Sequence, residues 1–157
     1  MQPAPVAEPA HKVLRRFRVV FNSVKAHLRA VESEAGVSGA QLWALSVIRQ
    51  QPGLGVSDLA HAMHVHQSTA SNLLRSLVQS DLVHSLREEE DRRSVQLYLT
   101  PRGQKVLAKA PGPFEGILPD ALRKLDPKAL ARLDRDLAKL IELLGPEAQD
   151  KNLPLGH

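Results

Sequence analysis

The 157 residues, 43% hydrophobic and 24% charged, suffice for one folded unit with a sizeable core, and with only 3% aromatics Leu, Val and Ala must fill it. The chain has no cysteine, which excludes disulfides, thiolate metal sites and a cysteine nucleophile, while the scarcity of aromatics argues against single-strand binding on stacked platforms. A net charge of +4 and a pI near 9.7 lean mildly toward a polyanionic partner.

The opening "MQPAPVAEPA" has neither a basic start nor an apolar run, so residues 1–10 are expected to form a flexible tail and not a signal peptide. No apolar stretch approaches the roughly 20 residues of a membrane span, and a cytoplasmic protein without a membrane partner is expected. From His11, the apolar residues Val13, Leu14, Phe17, Val20, Phe21, Val24, Leu28 and Val31 recur at three- and four-residue steps. That spacing predicts an amphipathic helix over 11–35, ended by Gly36. Ser38 is placed to cap the next helix, "SGAQLWALSVIRQQ", whose apolar residues cover nearly every side and put it between two layers.

The turn "QPGLG" leads to a short helix in "VSDLAHAM", a tight connection "HVHQ", and a second helix in "QSTASNLLRSLVQSDL". On this second helix Ala70, Leu73, Leu74 and Leu77 share one side, and Ser68, Ser71, Asn72, Arg75 and Gln79 the other. Such a pair is a helix-turn-helix pattern. "LVHSLR" and the better alternating "SVQLYLT" read as two strands framing the charged tip Glu88–Arg93, a β-hairpin. Thr100 is placed to cap a helix with Pro101 at its first position, which "PGP" at 111–113 stops near Ala110. A helical stretch resumes through "FEGILPDALRKL", with Pro119 as a kink or fresh start. Pro127 opens a last helix with a leucine seam (Leu130, Leu133, Leu137, Leu140, Leu144), and residues 145–157 read as a tail. Long apolar stripes at both ends leave more greasy surface than one chain covers, so pairing of the helices at 11–35 and 101–144 into a homodimer is expected.

The helix-turn-helix at 56–80, the hairpin at 82–99, "DRRS" at 91–94 and "LTPRG" at 99–103 together resemble the MarR family of winged helix-turn-helix regulators, over roughly residues 11 to 144. The resemblance implies a mainly α fold with a small β wing, with 36–100 as the DNA-binding unit, and a double-stranded DNA partner carrying a pseudo-palindromic operator. It further implies that Arg93 enters or lines the minor groove while Asp91 holds its guanidinium, and that Arg92 and Arg87 sit on neighbouring phosphates. Gln67, Ser68, Thr69, Ser71, Asn72 and Arg75 become the readers of the major groove. Members of the family bind small, often aromatic and anionic molecules, which makes Trp43 a candidate ligand contact with Arg15 or Arg18 as an anion partner. Repression is the direction the family implies.

The chain departs from the family where His64 replaces a turn glycine, His66 a capping Ser or Thr, Asp81 a glycine after the recognition helix, and Asn72 a basic residue. The "PGP" break shortens a helix that is often continuous. Two rival regulators stay open: a metal-responsive one, in which His61, His64 and His66 ligate an ion, and a winged-helix module that binds protein. The spacing of those histidines is not the i, i+4 of a helical zinc pair, and no metal or other cofactor is expected. No phosphate-binding glycine loop, HExxH pair or nucleophile elbow appears, so an enzyme is not expected.

Overall fold

The computed structural model describes residues 3–5, 7–87 and 94–145. Seven helices and two strands follow in the order α1 (Glu8–Ala35), α2 (Gly39–Gln50), α3 (Val56–Met63), α4 (Gln67–Gln79), β1 (Val83–Arg87), β2 (Val95–Leu99), α5 (Pro101–Lys109), α6 (Ile117–Arg123) and α7 (Pro127–Leu144). The first helix starts at Glu8, earlier than the expected His11, because Pro9 falls in its first turn, where a missing N–H removes no helical bond. The tail at 1–10 is corrected accordingly at its last three residues. At the other end of α1, Gly36 at φ 72° lets its N–H turn back to the Glu32 carbonyl (3.0 Å).

The second helix is the centre of the fold. It packs against α1, α3, α4, α5 and β2, and Leu42, Ala44, Leu45 and Ile48 are all buried. Its start is a capping box: the Gln41 N–H donates to Ser38 Oγ, and the Ser38 N–H donates to Gln41 Oε1. Around it lie Val31 of α1, Leu59 and Met63 of α3, Ala70, Leu73 and Leu77 of α4, Leu97 of β2 and Leu107 of α5. By contrast, α6 and α7 bury no residue. The core is therefore that of the winged unit with Val31 of α1 and Leu107 of α5 added, and α6 and α7 contribute no buried residue to it.

The strands pair antiparallel, with Val83 opposite Leu99, His84 opposite Tyr98 and Arg87 opposite Val95. The turn between α2 and α3 adds two bonds to this ribbon: the Gly53 N–H donates to the Leu97 carbonyl (2.8 Å), and the Leu97 N–H to the Leu54 carbonyl (3.0 Å). Thr100 then fastens the end of the hairpin. Its Oγ1 accepts from the Gly103 N–H (3.0 Å), capping α5, and donates to the Asp81 carbonyl (2.6 Å). The break at 111–116 runs through a cis Gly112–Pro113 bond to α6, which begins afresh after Gly116 (φ 107°), two residues before Pro119. No helix among the described residues is long and apolar enough to cross a membrane.

Candidate nucleic-acid interface

The corner between α3 and α4 is set by a single residue. His64 stands at φ 55° and ψ 43°, the left-handed conformation, and the Val65 N–H reaches back to the Ala60 carbonyl (3.0 Å) while the His64 N–H reaches His61 (3.1 Å). The same pair of bonds closes α4, where Asp81 (φ 57°) is the left-handed residue, Leu82 donates to Leu77 (2.9 Å) and Asp81 to Val78 (3.1 Å). The two positions where the family often has glycine thus keep the glycine conformation with His and Asp, residues that tolerate it better than most.

Between these two corners α4 turns Ala70, Leu73 and Leu77 into the core. Gln67, Ser68, Asn72 and Arg75 are exposed on the opposite side, and Thr69 and Ser71 are half-buried at its margin. No described side chain caps α4 after His66, so its first-turn N–H groups remain open to solvent. The outer row is thus a set of short hydrogen-bonding side chains with one guanidinium, mounted on a helix whose inner row is fixed. Arg87 is exposed at the last residue of β1. Asp91, Arg92 and Arg93 at the hairpin tip lie outside the described residues.

A cavity of about 220 Å³ lies between α1, α2 and the corner of α3 and α4. Val24, His27, Leu28 and Val31 of α1 form one wall and Leu42 and Trp43 of α2 another, with Met63 and His64 at the corner and residues 114–119 closing it. Trp43 lines this cavity. Arg15 and Arg18 do not; Arg15 lies with Lys12 and Arg16 on a separate surface groove. The physical reason is length: at 1.5 Å per residue, Arg15 is about 18 Å along α1 from His27. Imidazoles, not guanidinium groups, are the basic side chains on this cavity, and periodicity within one helix had no means of indicating them. Near the cavity, Glu115 pairs with Arg123 (2.5 Å), and Asp120 pairs with Lys124 (2.7 Å). A hydrogen bond from Lys124 holds the Asp120 carboxyl below its ordinary pKa.

Among the described residues, no three His, Asp or Glu side chains come together as metal ligands. His61, His64 and His66 are therefore not gathered into a site, since the left-handed turn at His64 separates the end of α3 from the start of α4.

A short helix, a left-handed turn, an exposed polar helix face and an antiparallel hairpin define a winged helix-turn-helix protein. Residues 37–95 match the MarR family, and the chain belongs to that family of transcriptional regulators, which are not enzymes. The chain is 32% identical over 117 residues to the putative transcriptional regulatory protein for the hcr operon of Thauera aromatica, covering 74% of this chain and 66% of that one. It is 28% identical over 86 residues to the transcriptional repressor MdtR of Bacillus subtilis (strain 168), covering 55% of this chain and 56% of the repressor. Among solved structures, the S. aureus MepR–DNA complex superposes with a TM-score of 0.57 at 23% identity, over 82% of this chain and 94% of that chain.

Proposed function

We propose that the protein is a homodimer that binds a pseudo-palindromic DNA operator, acts as a repressor, and is released by a small molecule held in the cavity beside Trp43. The observation that carries the DNA reading is the outer face of α4, where Gln67, Ser68, Asn72 and Arg75 stand exposed on a helix anchored by three buried residues. In this reading Gln67 and Asn72 take adenine edges, Arg75 a guanine or a phosphate, and Ser68, Thr69 and Ser71 either. Arg87 and Arg92 neutralise phosphates, while Arg93, steadied by Asp91, lies at the minor groove. The repressor of Bacillus subtilis among the relatives and the DNA-bound neighbour support the direction and the partner.

For the effector, the apolar walls of the cavity and its size suit a compact aromatic molecule, with His27 and His64 offering hydrogen bonds to it. Its effect must be a coupling: the bound form has to favour a spacing of the two reading helices that DNA does not accept. The position of His64, which both lines the cavity and forms the turn before α4, supports such a link.

The experiment is duplex selection from random sequence, followed by affinity measurement over a salt series. Arg75→Ala is expected to weaken the selected duplex by about 1–3 kcal/mol. Arg93→Ala is expected to weaken it by a similar amount, about 1–3 kcal/mol, with the greatest loss on sites of narrow minor groove. Unchanged affinity in both variants would remove the reading.

A further inference from the structure

The inner face of α4 is apolar, and apolar contact has little direction. Ala70, Leu73 and Leu77 hold the helix against the core and select the face turned inward, but small rotations about its own axis cost apolar contacts less than they cost a directional bond. Rotation matters at the other face. With side chains reaching about 5 Å from the axis, a twist of about 20° moves a reading atom by nearly 2 Å, beyond what paired hydrogen bonds to a base edge tolerate.

Among the described residues, a side-chain hydrogen bond joins α2 to this helix. Gln41 Nε2 donates to Ser76 Oγ (3.1 Å), across 35 residues of sequence. Each end of that bond is itself fixed. The Ser38 N–H occupies Gln41 Oε1 (2.9 Å), which turns the amide so that its NH₂ group faces α4. Ser76 Oγ donates its own proton to the Leu73 carbonyl (2.8 Å), so a lone pair faces Gln41. Ser76 lies one residue step, about 100° around the helix, from both the exposed Arg75 and the buried Leu77. A bond there resists rotation in a way the buried leucines do not.

We propose that Gln41 and Ser76 are positioning residues for DNA reading: the capping box of α2 extends through the Gln41 amide to fix the rotation of the recognition helix. The proposal rests on the DNA-binding function argued above. It touches no base or phosphate and adds no contact to the interface; it acts on the orientation of Asn72 and Arg75.

The capping and bridging roles of Gln41 separate cleanly. Gln41→Glu keeps an acceptor for the Ser38 N–H, as a capping box requires, but brings no donor to Ser76, whose hydroxyl can reach the carboxylate only by giving up the Leu73 carbonyl. Ser76→Ala leaves the capping box untouched and removes the bridge; Ser76→Thr keeps the hydroxyl. The test compares affinity for a duplex selected by the wild-type protein with affinity for a scrambled duplex of equal length at one salt concentration. Hydrogen exchange of residues 67–79 is followed in parallel. Both Ser76→Ala and Gln41→Glu are expected to lower the specific-to-scrambled ratio by about five-fold, as the loss of one ordinary hydrogen bond would. The double variant should be no worse than either single one, Ser76→Thr should restore the ratio, and exchange should quicken in α4. A purely structural role would lower both affinities alike and leave the ratio unchanged, and that result overturns the proposal. If the wild-type protein selects no duplex, the DNA reading itself fails and the proposal falls with it. If the wild type discriminates and the variants match it, only the bridge is refuted.

Discussion

At the scale of single residues, the backbone around the reading helix depends on three positions with opposite demands. His64 and Asp81 occupy the left-handed region with side chains attached, a conformation costing about 1–2 kcal/mol for an ordinary residue. Gly103 has ordinary backbone angles, but a Cβ there would fall on the Leu82 carbonyl oxygen. That oxygen also accepts from the Thr100 N–H (3.1 Å), so neither partner has room to move. Gly103→Ala should therefore destabilise the fold by about 3 kcal/mol through overpacking. His64→Gly should do the reverse: relief of left-handed strain outweighs the added freedom of the unfolded chain, for a gain of about 0.5 kcal/mol. Urea unfolding of both variants checks the pair. A Gly103→Ala protein with the wild-type midpoint would mean that the corner between α4, β1 and α5 yields more readily than its hydrogen bonds imply.

At the scale of elements, the segment at 111–116 sets where the C-terminal helices leave the winged unit. It is anchored by Phe114, which packs on the core and lies 5.1 Å beneath the Arg49 guanidinium. Phe114 also lines the cavity, so the anchor and a wall of the proposed effector site are one side chain. Phe114→Ala should cost about 2 kcal/mol in thermal unfolding, from lost packing and the lost cation–π contact. It should also weaken binding of aromatic acids to the cavity; retention of both properties would show that Phe114 anchors nothing. How much of this was legible in the sequence divides by the range of the interactions. Periodicity and capping residues are local, so Ser38, Thr100, the opposed faces of α4 and the stop near Ala110 could all be read from residue order. The left-handed turn at His64 was indicated only by the resemblance, in which a glycine is common at that place. The cavity walls are not local: Trp43, His27 and Phe114 meet only when three segments pack, so residue order gives no sign that His27 lines the cavity and Arg15 and Arg18 do not. The Gln41–Ser76 bond is hidden for the same reason, and α1 starts before its apolar periodicity does because Pro9 is tolerated in a first turn.

At the scale of the whole molecule, the terminal helices have no reason to persist alone. No residue of α7 is buried, Leu143 and Leu144 are 85% and 69% exposed, and on α1 Val19 and Phe21 are 65% and 56% exposed. Helices in proteins draw most of their stability from packing an apolar face, so the apolar stripe of α7 needs a covering surface. In the proposed homodimer a second copy supplies one, and two-fold pairing would also present two reading helices to one duplex. This reading fixes a prediction. Leu133→Asp together with Leu140→Asp places charge on the seam while leaving untouched the core between Val31 and Leu107. Light scattering should then find monomers, and unfolding of the winged unit should remain cooperative. Affinity for a two-site operator should drop by about 100-fold or more, because the second contact ceases to be intramolecular, whereas a single half-site duplex should lose little. A double variant that stays dimeric would mean that α7 is covered by something else, and the pairing of reading helices would need another origin.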